Sequence, residues 1–468
     1  MERDAAPGGD PVKSFTLELR LFFAERATWV LLVLFAVVLV YSLANGAAAG
    51  RTARDSAELV EKDTFQWATQ VREALERQAL DPRQVAGRPT SALLPPAPMP
   101  ALAVGQADLL PAHEQVSLWR LEKPSEGRSE LENPSRLLAG RFDLAFVLVW
   151  LLPLFLLAAA YDLCAGDREA GTLRMVLAQG VSPRVWIARR AFARGAPVLV
   201  IAVLSVVIAG QIGGAEGVGA RTGFAVLVVI AYGAFWLALA ALVNGYARSA
   251  AAAATALGSI WVLFVLVVPT LLNVVVENLH PSPSRAELVA EARAAASVAE
   301  KRGNEIVSSF YRDHPELAPV GMQGDMMSRM LAVQDEVGRA MDPVKQRFES
   351  AILAQQEVVD RWRFASPAIA MHEALTDLAG TGYWRHRAFR VQVETFKDQL
   401  HAYYSPKFHK RAPLTKADLP NFPKFEFIEE SSTAWRSRVL AGLAGILALA
   451  IAAGVVAALR LSPRKLAA

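Results

Sequence analysis

The residues richest in chemical possibility are Asp167-Arg168-Glu169-Ala170-Gly171-Thr172-Leu173, followed by Gly180-Val181-Ser182-Pro183-Arg184 and then by Arg189, Arg190 and Arg194. Their chemistry is that of recognition. A compact set of carboxylates and guanidinium groups at an aqueous face can form charge-assisted contacts with another protein. Arg174, Arg184, Arg189 and Arg190 can equally rest on anionic lipid headgroups, and the residues alone leave both readings open.

Other groups invite metal chemistry. Met322, Met326, Met327, Met330 and Met341 carry thioethers, soft ligands for Cu(I), and positions four apart share a helix face. Met326, Met330, Val333, Val337 and Met341 also form an unbroken apolar stripe, and methionine as core filler accounts for it with nothing added. His372, His386, His401 and His409 lack the short paired spacing of zinc ligands. Cys164 is the single cysteine, so no disulfide and no multi-cysteine zinc site can form within the chain.

Several activities are excluded by motif. The chain has no Gly-Lys dipeptide, hence no phosphate-cradling G-x-x-x-x-G-K-[ST] loop, and His372-Glu373 has no second His at the spacing of the helical zinc-protease motif. No catalytic motif or cofactor is expected, and ATP hydrolysis would require a separate subunit.

The charged set must be positioned by apolar helices. Runs at 28–49, 142–161, 195–215, 223–245, 250–276 and 436–459 each approach the about 20 residues that cross a hydrocarbon core. Apart from Asp143, Arg436 and Arg438 at their ends, they hold no Asp, Glu, Lys, Arg or His, unlike one-sided core helices of a soluble protein. The prediction is an all-α polytopic membrane protein with six transmembrane helices and two extracytoplasmic, mainly helical insertions.

Lys and Arg in the short connections set the orientation. Arg20 and Arg26, the set from Arg168 to Arg194, Arg248, and Arg460, Arg464 and Lys465 fall on one face, whereas 211–222 offers only Arg221. Both termini are therefore expected in the cytoplasm, with the protein multi-pass in the cell inner (plasma) membrane. The net charge of +4 reflects this topology and does not imply nucleic acid.

Residues 1–27 read as a cytoplasmic N-terminus with an interfacial helix whose apolar face is Phe15, Leu19, Phe22 and Phe23. Residues 162–194 form a cytoplasmic coupling region and 460–468 a cytoplasmic tail. The first outside segment, 50–141, opens as a helix from about Arg51 to Leu80, with Leu59, Phe65 or Gln66, Val71 and Leu75 available for packing. Pro82, Pro89, Pro95, Pro96, Pro98, Pro100 and Pro111 then predict an extended loop over the surface of the helices.

The second outside segment, 277–435, reads as a helical domain. A capping box at Pro283-Ser284 with Glu287 opens one helix. Asp342-Pro343 opens another, and Trp384, Phe389, Val393, Phe396, Leu400 and Tyr403 mark a third. Residues from Ser405 to Trp435 look irregular, with a short strand possible at Phe425–Ile428.

Arg168-Glu169-Ala170-Gly171-Thr172-Leu173 with Pro183-Arg184 downstream resembles the signature of ABC-2 type (type-2) ABC exporter permeases, where the second span continues into a cytoplasmic helix carrying E-x-G-T-L and a Pro-Arg-like turn. Ser366-Pro367-Ala368 and Leu378-Ala379-Gly380-Thr381-Gly382, with Phe389 and Phe396, are similar to an outside domain of the subgroup described as multicopper-enzyme maturation permeases. The resemblance implies a permease in the lipid bilayer that pairs with a second permease, identical or different, and with ABC ATPase subunits to export or extract a substrate the sequence does not identify. It further implies that the helix from about Asp162 to Leu177 docks in a cleft of the ATPase. Arg168 and Glu169 would lie at or near that contact, Gly171 would allow close helix approach, Thr172 would cap or bend the chain, and Leu173, Pro183 and Arg184 would complete the set. The two large insertions depart from the simplest members and leave the substrate open. The competing reading is a non-transporting receptor or assembly factor that binds a periplasmic partner through its outside helices.

Overall fold

The computed structural model describes residues 11–108, 110–118, 142–179, 181–213, 218–281, 285–302, 305, 308, 309, 312, 326–410 and 412–461. Six of its helices are long and apolar enough to cross a membrane. They are α2 (Arg26–Arg77), α4 (144–160), α7 (Pro183–Gly213), α8 (Val218–Tyr246), α9 (250–279) and α14 (Ser432–Arg460). The chain is a multi-pass, predominantly helical membrane protein.

Helix α8 is central, touching α4, α7, α9 and α14. It meets α7 through two reciprocal small-large pairs: a Cβ on Gly233 would stand 2.3 Å from Leu199, and one on Gly195 would stand 2.6 Å from Leu237. In a medium as apolar as the side chains themselves, such close backbone approach is what binds spans together. Tyr232 and Trp236 of α8 are fully buried in the resulting core.

Two spans carry a π-helical turn, Val147–Leu151 in α4 and Val262–Val267 in α9. A π turn shifts the backbone ladder and gives side chains access to its carbonyls. Three side chains from other elements take up oxygens there: Tyr232 Oη donates to Val149 O at 2.8 Å, Trp261 Nε1 to Trp150 O at 3.1 Å and Ser366 Oγ to Phe264 O at 2.5 Å.

At the end of the bundle away from residues 162–182, called here the domain end, a second core forms. It gathers Val71 and Leu75 of α2, α3 (Pro82–Ala86), the antiparallel hairpin β1 (Thr90–Leu93) and β2 (His113–Val116), and Phe389, Val393, Phe396 and Leu400 of α13 (Tyr383–His409). Beside it α10 (Arg285–Lys301) packs on α11 (Met326–Trp362) through Ala299, Val337 and Met341.

Four expectations change. Helix α11 continues through Pro343 instead of starting there, because the stripe Val333, Val337, Met341 and Val344 packs on α10 on both sides of the proline. Leu59 and Phe65 are exposed, at 68% and 72%, so of the part of α2 beyond the span it is the far end, Val71 and Leu75, that enters the second core. The strands lie at β1 and β2, and 425–428 is irregular because Ile428 bonds the Gln392 side chain, N to Oε1 and O to Nε2, both at 2.8 Å. The cap at Pro283-Ser284 was assigned to residues of which only 285 onward is described.

The fourth concerns 277–435, which does not stay together as one domain. Helix α12 (Pro367–Ala379) packs among the spans, against α14, α8 and the π turn of α9. Its start reaches Phe264, near the middle of α9, while Phe364 abuts Gly445 within α14 and Asp377 pairs with Arg438 at 2.8 Å near the start of α14. Arg221 at the start of α8 donates to Asp377 O and Leu378 O, at 3.1 and 3.0 Å, closing the C-terminal end of α12. The helix therefore enters the span layer from the domain end without crossing it.

Candidate functional site

The charged set forms an elbow between the second and third spans. Two short helices, α5 (Ala165–Glu169) and α6 (Leu173–Ala178), are joined by Gly171, whose φ of +75° is the left-handed conformation that glycine adopts without strain. Thr172 Oγ1 donates to Asp167 O at 3.2 Å and lies 3.3 Å from Asp167 Oδ1, holding the second turn against the first.

The root of the elbow is Asn244, a fully buried amide in the last turn of α8. Its Oδ1 accepts from the N–H groups of Leu163, Cys164 and Ala165 at 2.9, 3.2 and 3.3 Å. Its Nδ2 donates to Tyr161 O at 3.0 Å and Ala240 O at 2.9 Å. The first N–H groups of a helix have no partner inside it, and here a neighbouring span supplies the acceptor.

Arg168 and Glu169 both turn toward the junction of α8 and α9. Arg168 Nη1 donates to Asn244 O at 3.3 Å and to Ala247 O, carbonyls at the end of α8. Glu169 Oε2 accepts from Ala250 N at 3.2 Å, the first N–H of α9, where Ser249 Oγ also accepts from Ala252 N. The cation meets the negative end of one helix and the anion the positive start of the next.

A second node is Arg190 of α7. Nη1 donates to Leu163 O at 2.8 Å and to the Asp167 carboxylate, and Nε lies 3.8 Å from Glu18 of α1 (Pro11–Ala24). Phe15 of α1 packs on Phe192, and Arg194 Nη1 donates to Asp162 O at 2.8 Å. Arg190 is thus a tie between elements, not a headgroup anchor, and the N-terminal helix is part of the elbow.

Of the sequence-selected residues, Arg168, Glu169 and Thr172 converge on this network, and Gly171 makes its corner. Leu173 and Pro183 are buried and serve packing. Arg184 is exposed together with Arg174, Met175, Ala178, Val181 and Val185, Met175 at 66%. The outward face is therefore apolar and basic; beside it Arg168 is half-buried and Glu169 is exposed. Asn244 is not ionisable and belongs to no motif; a lone amide near the end of an apolar run is its only signal in the sequence.

Residues 285–428 match a family described as a domain of unknown function, DUF3526. The match covers α10 to α13 and the extended chain after them, including α12, and leaves the elbow outside. No characterised protein compared with the chain gives a significant match.

Proposed function

We propose that the chain is the transmembrane permease subunit of an ATP-driven exporter of the ABC-2 type. In this reading both termini and the elbow lie in the cytoplasm, the protein sits in the plasma membrane and pairs with a second permease, and a separate ATPase docks on the elbow. The observation that carries the reading is the wiring next to the exposed face: Asn244, Arg168, Glu169 and Arg190 bond α5 and the residues before it to the ends of α4, α7, α8 and α9, and in this reading a push on α6 would be passed on through them.

The test is capture of an ABC ATPase encoded beside this chain. Met175→Glu places a charge at the centre of the docking face and removes an apolar contact, a loss of about 1–3 kcal/mol, or roughly tenfold or more in affinity. Leu59→Glu, on a comparably exposed leucine near the domain end, is the control and should leave capture intact. The isolated chain should hydrolyse no ATP. Equal capture by both variants removes the docking role. The receptor reading, which rests on the size of the domain end, gains if that end binds a partner while no ATPase is captured.

A further inference from the structure

The proline-rich stretch lies over the surface only in part: Pro95 and Pro96 are exposed, whereas 99–104 is buried. Met99, Ala101, Leu102 and Ala103 are completely buried in the core of the spans, Val104 is nearly buried, and Leu94 is buried in the second core. The stretch is seated on glycines. A Cβ on Gly46 would come within 3.0 Å of Ala101 O, and one on Gly50 within 2.6 Å of Pro100. Gly46 and Gly50 lie one turn apart on α2, so together they form a smooth track on which the turn at 100–102 rests directly.

Further ties go to separate elements: Leu94 N donates to Ala112 O at 2.7 Å, and Pro95 O accepts from Arg385 Nη2 of α13 at 3.0 Å. Met99 N donates to Ala379 O of α12 at 3.2 Å, Leu102 O accepts from Ala145 N of α4 at 2.9 Å, and Val104 N donates to Asp143 Oδ2 at 2.8 Å. Pro98 lies against Gly380, 2.5 Å from where its Cβ would be, and Gly105 ends the stretch at a φ of +53°. Residues 94–104 thus fill the space between the domain ends of α2, α4 and α12.

We propose that residues 94–104 are a strap that closes the domain end of the passage and leaves its seat when ATP is used. The proposal rests on the exporter reading. The chemistry of the segment suits release. Pro95, Pro96, Pro98 and Pro100 have no N–H to strand, and the turn that ends the segment is closed within it, Leu102 N donating to Met99 O at 3.0 Å, so the segment carries that bond with it. A glycine track has no side chains to interlock, so the strap can lift without rotamer changes in α2. The tie to Ala379 joins the strap to α12, whose other end is bonded to the π turn of α9, itself bonded at its start to Glu169 of the elbow. A continuous set of contacts thus leads from elbow to strap.

The test uses the full chain with its ATPase in lipid, with Cys164→Ala removing the native thiol and Met99→Cys placing a reporter in the seat. The rate of labelling by a maleimide is measured without nucleotide and during ATP turnover. Gly50→Ala pushes on Pro100 and should raise the resting rate, which shows that the reporter senses the seat. The proposal expects labelling to rise several-fold during turnover, and Leu102→Cys to behave alike. ATP hydrolysis with an unchanged labelling rate at both reporters overturns the strap and leaves the exporter reading standing. Failure to capture any ATPase overturns both.

Discussion

Arg168 and Glu169 are neighbours in sequence, yet they close opposite ends of two different helices: the guanidinium takes the last carbonyls of α8 and the carboxylate takes the first N–H of α9. The order matters, since exchanging the two charges would set each against the helix end that repels it. The pair pins the turn 247–249 to the elbow, so that α8 and α9 must follow its movement.

Glu169→Arg is therefore expected to act on the junction itself. It loses a contact at a helix start and adds a cation there, about 1–2 kcal/mol in sum at a partly exposed site. Glu169→Gln keeps the acceptor and should cost less. Thermal unfolding in lipid nanodiscs measures both. Equal melting of the two variants would mean that the contact with Ala250 contributes nothing.

Asn244→Leu keeps the volume roughly and strands three N–H groups of the elbow. A cost of about 2 kcal/mol or more follows from leaving buried donors unpaired. The readout is built in: Cys164 is the single cysteine, it is buried, and its Sγ lies 3.4 Å from Asn244 O. Loosening the root should speed maleimide labelling of Cys164, whereas unchanged labelling together with an unchanged melting temperature would show the amide to be dispensable.

The six spans were legible because hydrocarbon demands length and purity, and both are written in composition. The face of α13 was legible for similar local reasons, but the role of Gly171 was not: it was expected at a close helix approach, whereas a Cβ there would meet nothing within 4 Å and its φ of +75° turns a corner. What was hidden depends on partners distant in sequence. The prolines restrict the backbone of 95–100 and say nothing of depth; the burial of Met99 and Pro100 comes from partners such as Gly46 and Gly50, whose close approach no local pattern shows, while Pro95 and Pro96 stay exposed. Helix α12 is shorter than a span and carries His372, Glu373 and Asp377, so its place among spans follows from contacts with α8, α9 and α14 and not from its own pattern. The aim of Arg168 and Glu169 was hidden likewise, because a charge shows its sign in sequence but not its partner.

His386 gives the domain end a pH dependence. Burial, with Arg385 and Arg390 nearby, pushes its pKa down to about 4 from the ordinary 6.5. Between those values the unfolded chain binds a proton that the folded chain refuses, so stability is full above about pH 6.5 and is lost as the pH falls toward 4, by up to roughly 3 kcal/mol. Unfolding followed from pH 7 to pH 4.5 should show this fall, and His386→Phe should flatten it. An identical slope in the variant would assign the acid sensitivity to other groups.

Ser366 bears the largest demand on a single hydroxyl. It is fully buried, donates to Phe264 O at 2.5 Å, and accepts from Ala368 N at 3.2 Å and Ile369 N at 3.4 Å. One side chain thus caps α12 and ties it to the π turn of α9. Ser366→Ala removes both functions at a depth where no water replaces them, and a loss of about 2–4 kcal/mol is expected. Ser366→Asp separates the two: a carboxylate can restore the cap but cannot donate to Phe264 O, and it adds a charge inside the bundle. Thermal unfolding should therefore rank wild type above both variants, with Asp no better than Ala. If Ala melts like wild type, the start of α12 is held by packing around Pro367 and Phe364 alone. If Asp melts like wild type while Ala does not, the cap is the whole contribution and the bond to the π turn adds none.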